Sequence, residues 1–246
     1  MLILLPPSEG KAPLGDGPAL DLSRLAFGSL NASREAVLDA LVTLCEGPEA
    51  QAVLGLSPGR LGEIGRNLDL RTAPTLTAAE LYTGVLYDNL GLASLPPEAA
   101  ARAARSLLIF SGLWGVLRIT DRVPPYRLSM GVRLPPLGGL GAYWRRSITP
   151  TLDGCAGLVV DLRSSTYAAA WQPGGRAVAV RVLKDGKVVS HMAKATRGVI
   201  ARSLLVGNVD PQTPEELTKV LDGLGHTVAL GPAPAGRRPW TVDVMV

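Results

Sequence analysis

Met1-Leu-Ile-Leu-Leu-Pro-Pro-Ser-Glu-Gly-Lys11 is the stretch from which the rest of the chain is read. Its apolar run reads as a buried strand, stopped at Pro6-Pro7 because proline has no N–H to give a sheet ladder. Ser8 to Lys11 is then a polar loop at the carboxyl end of a strand, the place where sheet proteins carry chemistry. Further along, residues 107–110 and 157–162 read as short strands. Residues 177–182 and 187–190 alternate around Asp185-Gly186, the sign of a β-hairpin, and 225–230 with 239–246 form a terminal strand pair. Helices are expected over 33–45 with Ser33 as N-cap, from the Thr77-Ala-Ala-Glu80 capping box to about residue 90, and from Pro96-Pro97 to about 106. Three more cover 141–152, 191–206 and, from a second capping box at Thr213, 213–222. This order is mixed α/β (α+β) rather than regular βαβ, and predicts one compact domain over residues 1–246 with a central mixed sheet.

Composition narrows the class. The chain has 246 residues, 47% hydrophobic and 19% charged, with a formal charge of +4, which fits one globular domain that needs no staple to fold. Two cysteines, Cys45 and Cys155, are too few for a disulfide framework and point to a reducing cytoplasm. Neither they nor His191 and His226 stand in a ligand-spaced motif, so no metal and no cofactor is expected. The opening apolar run lacks the basic start and cleavage site of a signal peptide, and no stretch is long enough for a membrane helix.

The residues that can carry chemistry fall in clusters. Ser8 and Lys11 follow the first strand; Tyr126, Arg127 and Arg133 lie in a Gly- and Pro-punctuated stretch after Arg118; Arg163, Ser164 and Tyr167 follow the strand at 157–162. Lys194, Arg197 and Arg202 fall on one arc of the helix at 191–206, opposite Met192, Ala193, Val199, Ile200 and Leu204. Arginine forks and lysine cations suit an anion, a nucleic-acid backbone and a nucleotide-like small molecule equally. Residues 50–70 read as a helix-hairpin-helix-like unit around Gly55-Leu56-Ser57, followed by Arg60 and Arg66, whose small residues let backbone N–H groups approach a phosphate. No serine stands in a G-x-S-x-G elbow, Ser8-Glu-Gly-Lys11 is too short for a P-loop, and no G-x-G-x-x-G follows the first strand. A buried Lys11 or Lys194 beside other cations would have a lowered pKa and act as a base or an imine-forming amine.

Taken together, Phe110-Ser-Gly-Leu-Trp-Gly-Val-Leu-Arg118 and Pro125-Tyr-Arg-Leu-Ser-Met-Gly-Val-Arg-Leu134 resemble the long signature of the bacterial YaaA family of peroxide-stress proteins. The opening strand and loop, Tyr82-Thr83-Gly84, Trp144, Asp161 to Tyr167, and Ala193-Lys194 with Arg197-Gly198 and Arg202 resemble further parts of it in the same order. The first loop departs from the commoner Ser-Pro-Ala-Lys, Thr166 stands where some members carry Glu, and a loop at 231–238 interrupts the terminal pair. The resemblance implies a mixed α/β fold with a helix-hairpin-helix and a positively charged cleft, binding of duplex or branched DNA, and protection from peroxide by limiting free iron and DNA damage. Gly55, Ser57, Arg60, Arg118, Arg127, Arg133, Arg163, Ser164, Tyr167, Lys194, Arg197, Arg202 and Lys11 are the expected anion contacts. Lys11, Arg127, Arg133, Lys194 and Arg197 are expected to converge on one cleft. An enzyme acting there on an anionic small molecule would use Lys11, Lys194, Tyr126 or Ser8.

Overall fold

The computed structural model describes residues 1–189, 192–236 and 238–246. Its strands are β1 (Leu2–Leu5), β2 (Leu76–Thr77), β3 (Leu107–Ser111), β4 (Gly115–Leu117), β5 (Arg122–Val123), β6 (Arg133–Leu134), β7 (Gly138–Gly139), β8 (Val159–Asp161), β9 (Ala177–Lys184), β10 (Lys187–Val188), β11 (Val228–Leu230) and β12 (Trp240–Met245). Its α-helices are α1 (Asn31–Glu46), α2 (Ala50–Leu54), α3 (Gly62–Leu68), α4 (Ala78–Leu81), α5 (Val85–Leu90), α6 (Pro97–Ser106), α7 (Leu140–Leu152), α8 (Ser165–Ala168), α9 (Ala193–Val206) and α10 (Pro214–Gly223).

The central sheet is mixed. Its order is β11-β12-β9-β8-β1-β3-β4, with β10 paired to the far end of β9. Five neighbours from β3 through β1, β8 and β9 to β12 run parallel, and the outer pairs β3–β4 and β11–β12 are antiparallel. All residues of β1, β3 and β8 are buried, so helices and loops cover both faces there, which explains the uninterrupted apolar run at the start of the chain. The chain leaves β1 for β3 on one side and later reaches β8 on the other. The carboxyl ends of these three strands thus flank a point where the connections diverge, and a crevice opens at such a point.

Several sequence expectations are corrected by neighbouring structure. The helix at 33–45 starts earlier, at Asn31, and Ser33 sits inside it with its hydroxyl 2.6 Å from that of Ser147 instead of capping. The Thr77/Glu80 capping box forms with both of its bonds, but the helix it opens stops after Leu81. Tyr82 leaves the helical region to pair with Lys11 as an isolated bridge, and Gly84, at φ +95°, restarts the chain as α5. The terminal strand pair is present, and β12 also docks parallel on β9, a long-range pairing with no local signal. Ser190 and His191, the expected strand end and helix start, lie outside the described residues.

Helix α9 crosses α5 at close range because Gly198 has no side chain. A Cβ there would overlap the carbonyl oxygen of Leu86 and lie 2.9 Å from the Cβ of Asn89. Arg202, on the same helix, donates to the carbonyls of Leu90 and Gly91 at 3.0 Å each, filling acceptors that the end of α5 leaves free. We expect Gly198→Ala to lower stability by about 2 kcal/mol, overpacking outweighing the ~1 kcal/mol gain in helix propensity. Gly65→Ala on α3, where a Cβ meets nothing within 4 Å, is expected to show that gain alone. Urea denaturation of the two variants measures both signs.

Candidate functional site

The loop after β1 folds back on itself. The Ser8 hydroxyl donates to the Gly10 carbonyl and accepts from the Thr83 N–H at 3.1 Å, and the Ala12 N–H donates to Leu81 at 2.9 Å. This ties the loop to the break between α4 and α5 and turns Lys11 inward. The Lys11 ammonium donates to the Ser8 carbonyl at 2.8 Å and lies over the faces of two tyrosine rings, 4.5 Å from the centroid of Tyr126 and 5.7 Å from that of Tyr82. Burial, reinforced by the Arg127 charge and only partly opposed by Glu63 and Glu9, lowers its pKa to about 8.

Behind the lysine runs a buried chain of hydroxyls. Ser111, the last residue of β3, accepts from the N–H groups of Leu113 and Trp114 at 3.2 and 2.9 Å. With both lone pairs used, its own hydrogen goes to the Tyr126 hydroxyl at 2.7 Å, which in turn donates to Tyr82 at 3.0 Å. Burial pushes both phenols well above the ordinary tyrosine range, so they stay protonated and give Lys11 no phenolate partner.

Arg127 forms the opposite wall. Asn67 of α3 is fully buried and brackets its backbone, accepting from the Arg127 N–H and donating to the Arg127 carbonyl, each at 2.9 Å. The guanidinium reaches Glu9 and Glu63, both at 3.5 Å. Glu9 is shared: Arg60 approaches the same carboxylate oxygen at 3.4 Å. Burial raises the pKa of Glu9, but the Arg127 and Arg60 charges outweigh this and hold it below the ordinary carboxylate value. Pro7, Ser8, Glu9, Lys11, Arg127 and Tyr167, with Leu128 and Ser129, line a cavity of about 90 Å³.

The segment from α2 to α3 stands beside this cavity. Gly55 ends α2 in the left-handed region at φ +63°, Leu56 plugs the core, and Ser57 leads through a short turn bearing Arg60 into α3. Because Asn67 and Glu63 on α3 both hold Arg127, the α2–α3 segment and the cavity wall are one continuous piece.

Other expected contacts have different places. Arg163 has no side-chain exposure; it pairs with Asp161 at 2.7 and 2.8 Å, donates to Trp171 at 2.9 Å and stacks over Phe110. Arg118 donates to the carbonyls of Ala104 and Arg105 at the end of α6, and Arg202 caps α5. All three guanidiniums are thus held by acceptors within the fold. Arg133 is exposed on β6, and Lys194 is exposed in the first turn of α9. Neither lines the cavity, so of the five cations expected in one cleft only Lys11 and Arg127 meet there. Arg197 is half-buried, with the Asp161 charge partly offsetting the burial that lowers its pKa. Ser164 precedes α8 without a side-chain cap bond. Met192 and Val199, placed on the apolar arc of α9, are exposed instead.

Sequence reading missed Glu63 and Asn67 altogether, since an acid and an amide on a short helix carry no motif. Of the Tyr82–Tyr126–Ser111 chain only Tyr126 stood out as a candidate, and no local pattern joined it to Tyr82 and Ser111. Among the described residues no group of three or more His, Cys, Asp or Glu is placed to hold a metal ion, and no helix is long and apolar enough to cross a membrane.

Comparison with known proteins agrees with these motifs. A UPF0246 protein of Streptomyces coelicolor is 54% identical over all of this chain and 98% of its own length. A UPF0246 protein of Corynebacterium efficiens is 43% identical over 94% of this chain and 95% of its length. An uncharacterised protein of Campylobacter jejuni is 33% identical over 54% of this chain. A family model described as peroxide stress protein YaaA matches residues 1–229. With the Lys11 loop, the Phe110–Leu134 signature and the α9 motif in their expected order, the chain belongs to the YaaA family of peroxide stress proteins.

Proposed function

We propose that the protein binds nucleic acid, duplex or branched, through its phosphate backbone without reading base sequence. The binding surface is the hairpin together with the Lys11–Arg127 cavity, and occupying nucleic acid in this way limits iron-dependent oxidative damage during peroxide stress. One observation carries the reading: Arg60 of the hairpin and Arg127 of the cavity share a single, largely exposed carboxylate, that of Glu9. Two guanidiniums converging on one exposed anion form a ready phosphate site, because a phosphate oxygen can take the place of the carboxylate and accept from both forks. The candidate contacts are cations and backbone amides rather than base-reading side chains on a recognition helix, which fits sequence-independent binding of about micromolar strength or weaker.

The reading makes opposite demands on two neighbouring residues. Arg60→Ala removes one phosphate contact and is expected to flatten the slope of log K against log salt by about one unit. Glu9→Gln removes the anion that competes for the site, and is expected to tighten duplex binding about three- to tenfold at low salt. Fluorescence titration of both variants with a labelled duplex at two salt concentrations checks the pair. Weaker binding by Glu9→Gln would contradict the shared-anion arrangement.

A further inference from the structure

Among the described residues Lys11 stands out, because its ammonium is turned inward without a carboxylate of its own. The two nearest acids are engaged elsewhere: Glu9 bridges Arg127 and Arg60, and Glu63 pairs with Arg127. Among the described residues its ammonium has one protein acceptor, the Ser8 carbonyl, and otherwise lies against tyrosine rings. Burying such a cation is costly, and a lysine kept there beside a second cation favours its neutral, nucleophilic form.

The surroundings separate nucleophile from proton relay. The hydroxyls of Tyr82 and Tyr126 are bonded to each other and to Ser111, and Lys11 meets the ring faces. Nothing in that chain is positioned to carry a proton between the amine and a ligand. The cavity of about 90 Å³ holds roughly three waters' worth of liquid volume. That space admits a carbonyl group of a few atoms. Arg127, on the facing wall, supplies a fork for an adjoining phosphate.

We propose that Lys11 forms an imine with an aldehyde that is carried next to a phosphate, the group presented by the open-chain sugar of an abasic nucleotide and by a free sugar phosphate. The hairpin beside the cavity favours the abasic strand as bearer, and this choice rests on the nucleic-acid reading above; the amine chemistry does not. The neutral amine attacks the aldehyde carbon with its lone pair and a C–N bond forms. A proton passes from nitrogen to oxygen to give the carbinolamine, water leaves, and the C=N bond closes. No electrons are gained or lost, and water reverses the step.

Sodium borohydride tests this, because it delivers hydride to the imine carbon and fixes the adduct as a secondary amine. Full-length protein is incubated with an abasic duplex or with glyceraldehyde 3-phosphate, reduced, and digested for peptide mapping. The expected result is an adduct on Lys11 of the wild-type protein, with a yield that rises with pH through about 8. Exposed lysines would rise only nearer 10. Lys11→Met is expected to lose the adduct at least about tenfold, and Lys219→Ala, at an exposed position of α10, to keep it. Mapping on the wild type keeps the test decisive even if Lys11→Met folds poorly. An adduct with the abasic duplex identifies the strand as source, and one with glyceraldehyde 3-phosphate alone identifies a free sugar phosphate. No adduct, or one spread over exposed lysines, overturns the proposal. Titration with an intact duplex is run alongside: binding without an adduct leaves the nucleic-acid reading standing and removes this one, and an adduct with the free aldehyde but no duplex binding does the reverse.

Discussion

Arg34→Ala is expected to destabilise the fold by about 3–5 kcal/mol, well beyond the cost of the Gly198→Ala overpacking. Arg34 lies on α1 with no exposed surface. It donates to the carbonyls of Trp114 at 3.1 Å, Val116 at 2.8 Å, Ala26 at 2.9 Å and Phe27 at 3.5 Å, and to the side-chain oxygen of Asn31 at 2.8 Å. Burial lowers its pKa to about 10, with the charge of Asp121 opposing the shift, so it remains a cation at neutral pH. Truncation would strand these acceptors in the interior and remove one of the two cations beside Asp121, leaving Arg118. The strand they hold, β4, is the edge of the sheet and leads into the segment that delivers Tyr126 and Arg127. Urea denaturation followed by far-UV circular dichroism reads the effect, and a loss under about 1 kcal/mol would show that water satisfies these groups instead.

The role of Arg34 also shows where sequence reading reached its limit. A lone arginine in a helical pattern reads as a solvated side chain, since arginine is almost never fully buried unless paired. Its carbonyl acceptors come from residues near 26 and near 115, and no local pattern announces them. What was legible was local: the apolar first strand stopped by Pro6-Pro7, the Thr77 and Thr213 caps, and the Asp185-Gly186 turn, where both residues have φ above +50°. The docking of β12 on β9 and the split between α4 and α5 depended on distant partners and were not legible. The site divides in the same way. Ser8, Lys11, Tyr126, Arg127 and Tyr167 could be singled out because they follow strand ends or stand in apolar, Gly- and Pro-rich sequence. The assignment of Arg118, Arg163 and Arg202 to the fold could not, because a guanidinium that caps a helix and one that waits for a phosphate look alike in sequence.

Arg127→Ala carries the largest expected effect on binding. Its guanidinium is 13% exposed and lies between Glu9 and Glu63, so its removal takes away a phosphate fork, leaves Glu9 to Arg60 alone and strips Glu63 of this partner. Duplex affinity is expected to fall roughly 100-fold, about 3 kcal/mol, where loss of an exposed cation outside the cavity, such as Arg133, costs at most a few-fold. Stability changes little by comparison, because the backbone bonds from Asn67 to residue 127 do not depend on its side chain.

Nucleic-acid binding of the proposed kind requires Arg60 and Arg127 to exchange the Glu9 carboxylate for a backbone phosphate. Equilibrium titration of the wild-type protein and Arg127→Ala with one labelled duplex, across a salt series, is the decisive experiment. Engagement of three to five phosphates predicts a wild-type slope of log K against log salt of about −3 to −5, with Arg127→Ala shallower by about one unit and far weaker at every salt concentration. A wild-type affinity indifferent to salt, or an Arg127→Ala variant that binds like the wild type, would rule the exchange out.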